Sequence, residues 1–581
     1  MGGLLSQHLE EESDESDNVS SSSSENKESN EIDEQVPLSA NTREICEIPQ
    51  NEKLNEKQFI NNAGGFVWAV DDKVRLQRFL CLGSEGGSYY TGEAELTSQN
   101  AACIDRMIAD NRGREVVETI RTFSIKGRCA KQNPTIFALA ICARSNDEQT
   151  KKAAYGVLSD VCRIPTHLFQ FIQICEAESV GTGWGRAHRR AVCKWYNSYE
   201  KEPMKLAMHV TKYKNRAGWS HLDLLRLCHI KPSTDTNGFI FRYIVKGLHE
   251  AKNMYMNPEA SSELKEIDGY LQGVDDARVC TDEDKMAELI RTHRLVREHI
   301  PTNLLNSKKV WEMLVLDMPI SAMIRNLGKM SAIGMLKNGS QQENIVETRL
   351  SNETIIHNSK LHPFSVLLAL HQYKSGSGLR GSLAWPVNLV IVSALERAFY
   401  MAFKNVQPTG KRFCLAIDVS GSMGSQILGS QISCRGASAA MMMTVARTEK
   451  KVEVVAFQYK LTEVDIKSDD DLITVEKKIS GMPFGPTDCA APMVWASKTR
   501  KRFDVFIVYT DSETWFGRVH PSAALVQYRE RMGIPDARLI VVAMASNEFS
   551  IADPDDRYMM DVVGFDSSAP EVMNQFITGE I

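Results

Sequence analysis

The sequence predicts a multidomain protein, in which a long all-α part built from helical repeats precedes a smaller α/β unit. At 581 residues the chain is too long for one hydrophobic core, because single cores stop growing at about 250–300 residues. Between about residues 58 and 405, apolar residues recur every three or four positions, which is typical of amphipathic helices. After about residue 408, short runs that are apolar throughout alternate with helical stretches, which is typical of buried parallel strands.

Residues 1–55 form the first predicted segment, a disordered acidic tail. They are rich in Ser, Glu and Asn and contain no aromatic residue, so they bury too little apolar surface to offset the entropy lost on ordering. The opening residues fit the pattern for N-myristoylation, with Gly2 as the acceptor. We expect a membrane as a partner only where Gly2 is acylated, since one acyl chain by itself gives marginal binding.

Residues 56–405 form the predicted helical domain. The separators between its helices are short and often contain Gly or Pro, which suits helix pairs stacked in series as an α-solenoid. No fixed repeat length is visible, so the sequence favours an irregular, HEAT-like array over strict TPR or ankyrin repeats. An ordinary irregular all-helical domain is the alternative.

Residues 406–581 are predicted to form a doubly wound α/β domain. The runs 412–420, 503–511 and 538–544 have the composition of buried strands, and helical stretches separate them. Such strands form a parallel sheet covered on both faces. Ligands bind at the carboxyl ends of the strands in sheets of this kind.

Five oxygen-bearing side chains lie at such strand ends and in one loop. Asp418, Ser420 and Ser422 follow the first strand in alternation, Thr487 opens a helix, and Asp511 ends a second strand. Carboxylates and hydroxyls without nitrogen or sulfur donors suit a hard cation that keeps some water, namely Mg²⁺, or Mn²⁺ as the alternative. The competing interpretation is that these side chains merely cap the neighbouring helices.

The formal net charge of −6 is the sum of segments with opposite charge. Residues 1–50 contain 13 Asp/Glu and 2 Lys/Arg, whereas residues 51–407 contain 47 Lys/Arg and 38 Asp/Glu. The stretch 181–252 has the largest excess of basic residues, with 14 Lys/Arg against 5 Asp/Glu. The positive surplus of the helical domain therefore lies in this one stretch.

Cations in this stretch alternate with Trp, Tyr and His, a pattern that suits RNA. Cations meet phosphates, and aromatic rings such as those of Trp195 and Tyr196 stack on unpaired bases. The local charge predicts six RNA-binding residues, namely Arg186, Arg189, Arg190, Lys214, Arg216 and Arg226. Solvated faces of a helical solenoid explain the same composition about equally well.

The composition and motifs argue against other classes of protein. We find no apolar run of about 18 residues that would span a membrane, no phosphate-binding G-x-x-x-x-G-K-[ST] motif, and no Ser–His–Asp order, and we expect no enzymatic activity. The 13 cysteines are scattered without a C-x-x-C pair. This usage suits a reducing compartment, so we expect a cytoplasmic protein with a nuclear pool.

The α/β domain resembles the von Willebrand factor A domain, and its five oxygen-bearing residues resemble the metal-ion-dependent adhesion site of that domain. Six segments of the chain stand out: RFLCLGSEGGSYY (78–90), CRIPTHLF (162–169), TKYKNRAGWSHLDLLRL (211–227), HRLVREH (293–299), PTGKRFCLAIDVSGSM (408–423) and IADPDDR (551–557). By these segments the chain from about 56 to 581 resembles the TROVE family of Ro ribonucleoproteins.

The resemblance implies a ring of HEAT-like repeats closed by the A domain. It implies that Ser420, Ser422 and Thr487 contact the metal directly, while the two aspartates act through water. It further implies that small noncoding Y RNAs bind a basic outer surface, where Lys212 and His229 match basic family positions. Misfolded small RNAs would thread a single-stranded 3′ end through the central hole.

From these observations we expect a monomeric RNA-binding protein that acts in small-RNA stability and quality control within a ribonucleoprotein particle, and that does not bind DNA. The alternative is a metal-dependent protein-adhesion module, in which the metal site recruits a partner protein and the helices serve only as a scaffold. A metal-dependent hydrolase is the third hypothesis, and it requires turnover of RNA or nucleotide.

Overall fold

The computed structural model describes residues 48–179, 183–378, 382–403, 407–483 and 485–581. Gly2 and most of the expected acidic tail therefore lie outside the described residues. Residues 48–55, which we expected at the end of the tail, belong to the folded part, and Gln50 is fully buried. Its backbone nitrogen donates to the carbonyl of Gly517 in the C-terminal domain at 3.1 Å.

Twenty helices make up the N-terminal part over the described residues. They are α1 (Asp72–Leu82), α2 (Glu93–Ala109), α3 (Gly113–Ile125), α4 (Asn133–Arg144), α5 (Glu148–Gly156), α6 (Leu158–Val161), α7 (Pro165–Ala177), α8 (Arg186–Asn197), α9 (Pro203–Lys212), α10 (His221–Cys228), α11 (Asp235–Lys246), α12 (Leu248–Tyr255), α13 (Ser262–Val279), α14 (Glu283–His293), α15 (Lys308–Asp317), α16 (Ile320–Ala332), α17 (Gln341–Leu350), α18 (Glu353–Ser359), α19 (Pro363–Lys374) and α20 (Leu389–Met401). Neighbours in the chain pack against one another, as the repeat pattern predicts.

Local sequence sets the ends of these helices. Pro165 begins α7, where its missing N–H is no loss and its fixed φ suits the first helical turn. Helix α10 begins with a capping box, in which Ser220 and Asp223 each accept from the other's backbone nitrogen. It ends at His229 in the left-handed conformation, with φ of 53°. Short helices with defined ends allow the array to curve.

The array closes on itself. The Lys360 ammonium donates to the carbonyl of Ile125 at 3.1 Å, and His362 Nε2 donates to the carbonyl of Arg128 at the same distance. These contacts join the segment after α18 to the end of α3, across more than 230 residues of chain. The predicted ring of helical repeats is thereby confirmed.

The C-terminal part is the predicted α/β domain. Its strands are β5 (Arg412–Asp418), β6 (Lys451–Phe457), β7 (Leu461–Glu463), β8 (Val505–Thr510), β9 (Arg538–Ala543) and β11 (Met559–Val563), in the sheet order β11-β9-β8-β5-β6-β7. Its helices are α21 (Cys434–Thr448), α22 (Leu472–Ser480), α23 (Ala491–Lys498), α24 (Pro521–Met532) and α25 (Ala569–Thr578). Five strands are parallel as predicted, whereas the edge strand β7 runs antiparallel to β6.

A second sheet joins the two ends of the chain and was not predicted. Strands β1 (Gln58–Ile60) and β2 (Phe66–Ala69) form a hairpin, and β2 also pairs with β10 (Phe549–Ser550) of the C-terminal domain. The expectation of helix from residue 58 is thus wrong for 58–69. A tertiary contact stabilises these strands, because an isolated two-stranded hairpin is marginal in water.

Buried ion pairs fasten the ring to the C-terminal domain. The guanidinium of Arg78 in α1 is fully buried, donates to the carbonyls of Asn547 and Phe549 at 3.0 and 2.8 Å, and pairs with Asp561. Arg128 pairs with the buried Asp566 in the same way. None of the helices described is both long and apolar enough to cross a membrane.

Candidate functional site

The carboxyl end of β5 brings three of the predicted metal-site residues together. The Ser420 backbone nitrogen donates to the Asp418 carboxylate at 2.8 Å, and the Ser420 and Ser422 hydroxyl oxygens lie 3.1 Å apart. The Thr510 hydroxyl, at the end of the neighbouring strand β8, donates to the other Asp418 oxygen at 2.6 Å. All four side chains are buried at the carboxyl ends of the strands, which is where parallel sheets bind their ligands.

Asp511 reaches the cluster through a hydrogen bond with Ser422, and Thr487 lies in a neighbouring loop. The Thr487 carbonyl accepts from the backbone nitrogens of Trp515 and Phe516 at 3.2 and 3.1 Å, so its loop lies against the loop that follows Asp511. Burial, the Asp418 charge and the Glu513 charge together raise the pKa of Asp511 to about 8. Burial also raises the pKa of Asp418. The charge of Arg435 acts in the opposite direction on the pKa of Asp418, and a bound cation would further stabilise the ionised form of both carboxylates.

The donor set fits a hard cation. It consists of carboxylate and hydroxyl oxygens, the ligands that suit Mg²⁺ and Mn²⁺. In the described ranges, this site included, no group of three or more His, Cys, Asp or Glu side chains is arranged to hold a metal ion, so a cation here would depend on the hydroxyl oxygens. The nearby Arg435 donates to the carbonyls of Val419 and Ser420 at 2.9 and 3.2 Å, which fixes the backbone of the loop.

The predicted basic surface is formed by α8 and the elements after it. Arg186, Arg189 and Arg190 are all exposed on α8. The aromatic side chains expected to stack on bases are not available, because Trp195 and Tyr196 are 1% and 0% exposed. Their position on the apolar face of α8 makes them part of the core, so the prediction that these two rings contact RNA is wrong.

The other predicted cations extend the same surface. Lys214 and Arg216 are exposed at a two-stranded hairpin of β3 (Asn215–Arg216) and β4 (Trp219–Ser220), and Arg226 and His229 are exposed at the end of α10. Lys212 is half-buried, with its ammonium 3.9 Å from the Glu298 carboxylate. The structure thus places seven of the eight predicted RNA-binding residues at the surface, and Lys212 beside an acidic partner.

Histidines lie in the core beneath this surface. Tyr196 donates to His221 Nδ1 at 2.7 Å, while His221 Nε2 donates to the Tyr213 carbonyl at 2.9 Å. His209 hydrogen-bonds with the Tyr199 hydroxyl at 3.1 Å. Burial lowers the pKa of His221 to about 3 and that of His209 to about 4.

These pKa values predict acid sensitivity of the basic surface. An unfolded histidine takes up a proton below about pH 6.5, whereas the buried ones resist protonation until about pH 4, so protons favour the unfolded state in between. We expect the local stability of α8–α10 to fall by on the order of 2 kcal/mol per histidine between pH 7 and 5. Amide hydrogen exchange, corrected for intrinsic rates, measures this. Protection of α8–α10 that does not change with pH would contradict it.

Two adjoining cavities are lined by residues of the helical part, and residues 426–432 of the C-terminal domain border the larger one; neither was predicted residue by residue. Their volumes are about 940 and 340 Å³, and they share Ala130, Ile324, Arg325 and Ser365 in their walls. The basic residues that line them are Lys131, Arg163, Arg297, Arg325, Lys329 and Lys360, and no Asp or Glu is among the described lining residues. Six cations without an acidic residue in the described wall favour a polyanion as the ligand of these cavities.

Several of these cations have no carboxylate partner. Arg297, Arg325 and Lys329 form no ion pair within the described parts of the chain, and Arg325 and Lys329 lie four residues apart on one face of α16. Lys131 differs, because it pairs with Glu85 and donates to the Leu428 carbonyl at 2.6 Å. These residues come from distant helices, so no local run of charge in the sequence indicated them.

Two family models match the chain. The model described as the TROVE domain matches residues 59–375, and the model described as the Ro60 vWA domain matches residues 412–577. The chain belongs to the Ro60 family. The resemblance drawn from the sequence segments is confirmed, as is the architecture of a helical TROVE region followed by a vWA domain with a mixed six-stranded sheet.

Known relatives agree over nearly the whole chain. The protein named RNA-binding protein RO60 in Caenorhabditis elegans is 39% identical, covering 95% of this chain and 95% of that protein. The protein of the same name in Deinococcus radiodurans is 36% identical, covering 92% of this chain and 98% of that protein. The crystal structure of the Deinococcus radiodurans RO (RSR) protein matches with a TM-score of 0.63 at 34% identity, covering 88% of this chain and all of that one.

Proposed function

We propose that this protein binds small RNAs at two places, a single-stranded 3′ end inside the ring and a structured noncoding RNA of the Y class on the outer basic surface. The observation that carries the proposal is the pair of cavities lined by six cations and, within the described residues, by no acid. Two relatives that cover over nine-tenths of the chain bear the name RNA-binding protein RO60, which supports it.

The volumes of the cavities, about 940 and 340 Å³, suit a single strand rather than a duplex. A ring that encloses its cations admits a chain end, and the sugar-phosphate backbone supplies charge at every nucleotide. The exposed Leu383 and the amides of Asn306 and Asn326 also line the larger cavity, so bases would meet apolar and hydrogen-bonding groups there. Recognition by charge and shape, with little base specificity, suits the capture of misfolded small RNAs in quality control.

Matched RNAs test this function. One stem-loop RNA is prepared with a single-stranded 3′ tail and again with a blunt end, and both are titrated against the full chain in gel shifts from low to high salt. The tailed RNA should bind more tightly, and its affinity should fall steeply as salt rises, because each phosphate contact releases counterions. Equal affinity for both RNAs, or affinity independent of salt, would refute the proposal for the cavity.

The outer surface gives a separate prediction. Changing Lys212 and His229 together to Glu should weaken binding of a structured Y-class RNA about tenfold or more, because two favourable contacts become repulsive. Binding of the tailed RNA in the cavity should persist. The same exchange at Lys450 and Arg531, two exposed cations of the vWA domain, is the control. Undiminished Y-class RNA binding would remove these two residues from the site.

We propose a non-catalytic role in the cytoplasm, with a nuclear pool, as a monomer within a ribonucleoprotein particle. The free cysteines support the compartment. All twelve that the structure describes are free thiols, and eleven of them are buried. A protein with so many unpaired thiols suits a reducing environment. Incubation with Mg²⁺ and labelled RNA should leave the RNA uncleaved.

A second candidate function is metal-dependent adhesion to a protein partner. The observation that favours it is the convergence of Asp418, Ser420, Ser422 and Asp511 on one point at the sheet edge. Mg²⁺ or Mn²⁺ bound there would offer a coordination position to a partner's carboxylate. Thr487 would complete the set of hydroxyl ligands.

Removing two hydroxyls tests the metal site. Ser420→Ala with Ser422→Ala should weaken Mn²⁺ binding by about tenfold or more, because a hard cation loses two oxygen ligands, while RNA affinity stays unchanged. Calorimetric titration with Mn²⁺ measures the first effect and gel shifts measure the second. Mn²⁺ affinity equal to that of the unchanged protein would contradict a metal site at these residues.

A further inference from the structure

Two cysteines meet at the outer basic surface. Cys193 lies on α8 and Cys228 is the last residue of α10, and the Cys193 thiol donates to the Cys228 carbonyl at 3.4 Å. The two thiols are also close enough to hydrogen-bond with each other. One turn after Cys193, the Asn197 side-chain amide donates to the Lys231 carbonyl at 3.2 Å. A second contact therefore holds α8 against the end of α10 and keeps the two thiols side by side.

The two thiols differ in their access to solvent. Among the cysteines that the structure describes, Cys193 alone is partly exposed. Cys228 is 5% exposed, and its thiol lies 3.8 Å from the Leu225 carbonyl. Burial is the main reason that the pKa of Cys228 lies above its usual range. A small oxidant from solvent therefore reaches Cys193 first, and Cys228 lies behind it as the second thiol of the pair.

A second pair of thiols in the ring has the same contact without the access. Cys81 in α1 and Cys129 after α3 are also close enough to hydrogen-bond with each other, and they are 0% and 4% exposed. Buried thiols of this kind are inert toward reagents in water. Contact between two sulfurs is common to both pairs, so exposure of one sulfur is what distinguishes the pair on the outer surface.

We infer that Cys193 and Cys228 form a reversible oxidation site for hydrogen peroxide. The Cys193 thiolate attacks one peroxide oxygen, the O–O bond breaks and hydroxide leaves, so that Cys193 becomes a sulfenic acid. The Cys228 sulfur then attacks the Cys193 sulfur, the S–O bond breaks, and the hydroxyl leaves as water with the Cys228 proton. Two thiols thus lose two electrons and two protons, and one peroxide becomes two waters. A small thiol such as glutathione reduces the disulfide again by thiol–disulfide exchange.

The disulfide changes the outer basic surface, and this consequence rests on the proposed RNA binding there. A bond draws the two sulfurs to about 2.05 Å, closer than non-bonded contact allows, so α8 and the end of α10 move together. Arg189 and Arg190 precede Cys193 by about one helical turn, and His229 directly follows Cys228. The cations of the two helices therefore change their spacing, and an RNA that contacts both loses at least one contact.

Peptide mapping of the full chain tests the disulfide. The protein is treated briefly with hydrogen peroxide while its circular dichroism stays unchanged, its free thiols are alkylated, and its peptides are identified by mass spectrometry. We expect the Cys193–Cys228 disulfide to form and dithiothreitol to reverse it, while Cys81 and Cys129 stay reduced. In Cys228→Ser, dimedone should label Cys193 as a sulfenic acid, and in Cys193→Ser it should leave Cys228 unlabelled.

Three results of the mapping would overturn the inference. They are thiols that all stay reduced in the folded protein, a disulfide from Cys193 to any other cysteine, and oxidation of Cys81 and Cys129 as fast as that of the outer pair. The last of these would show that access from solvent does not select the site.

Gel shifts with the oxidised and the reduced chain measure the consequence for RNA. Oxidation should lower the affinity for a structured Y-class RNA about tenfold, the loss of one contact to a charged group, and should leave the tailed RNA unaffected. Cys193→Ser with Cys228→Ser should bind equally before and after peroxide. Equal affinity of the oxidised and reduced chain would contradict the change of surface. If neither form binds Y-class RNA, the outer-surface function fails with it, whereas the mapped disulfide stands.

Discussion

Reversing the charge of Arg325 and Lys329 together to Glu should lower the affinity for an RNA with a single-stranded 3′ tail by about 100-fold, since a hydrogen bond to a charged group contributes about tenfold each. Both side chains lie on one face of α16, line the larger cavity, and form no ion pair in the described chain. The slope of log affinity against log salt should also fall by about 1.4, because each phosphate contact to a single strand contributes about 0.7.

A matched control separates this loss from a change of net charge. Lys451 and Arg531 are exposed cations of the vWA domain, and neither lines the cavities. Their joint reversal to Glu changes the net charge equally and should alter the affinity much less. Binding of a structured Y-class RNA to the outer surface should survive in the Arg325/Lys329 variant. If both reversals weaken the tailed RNA equally, the cavity is not its binding site.

Removing the Arg78 guanidinium should have the largest effect on stability. Arg78→Met leaves Asp561 and the carbonyls of Asn547 and Phe549 without their buried donor, and breaking a buried pair costs about 3–5 kcal/mol. Because these contacts join α1 to the vWA domain, urea unfolding of the variant should separate into two transitions. In the unchanged chain the two parts should unfold at more similar urea concentrations. Unfolding by intrinsic fluorescence and circular dichroism measures both effects.

Arg106→Met is the control for that substitution. Arg106 pairs with Asp72 on the surface, where its side chain is 51% exposed, so losing the pair should cost less than about 1 kcal/mol. Arg78 lies in α1 and Arg106 in the adjacent helix α2, and each substitution replaces a guanidinium by a long apolar side chain. Equal destabilisation by the two would show that burial of the Arg78 pair is not what holds the ring to the vWA domain.

The sequence predicted most of the oxygen cluster at the end of β5 because its residues are local. Alternation along the end of β5 brings Asp418, Ser420 and Ser422 to one side, and that geometry follows from the strand alone. Thr487 and Asp511 were placed by the order of strands in a parallel sheet. What the sequence did not indicate is the neighbourhood of the site, since Gln50 and Trp515 reach it through tertiary contacts.

The two basic surfaces, for which we propose RNA binding, divide in the same way. The outer surface was predicted because its cations lie within one stretch of chain, where charge is visible as a local surplus. Helical periodicity by itself did not separate the buried Trp195 and Tyr196 from the exposed Arg189, since aromatic residues next to cations suit both a core and a stacking surface. Burial settled that question, because the two rings pack inward on the apolar face of α8.

By itself the sequence determined the two-part architecture, the oxygen-bearing side chains at the strand ends and the outer basic stretch, because each depends on periodicity or charge within a short length of chain. Only the tertiary structure decided the basic cavity, which gathers Arg163, Arg297 and Arg325 from helices far apart in the chain. It also decided the sheet that β1 and β2 form with β10. Contacts between residues hundreds of positions apart arise from closure of the ring, and no local pattern encodes that closure.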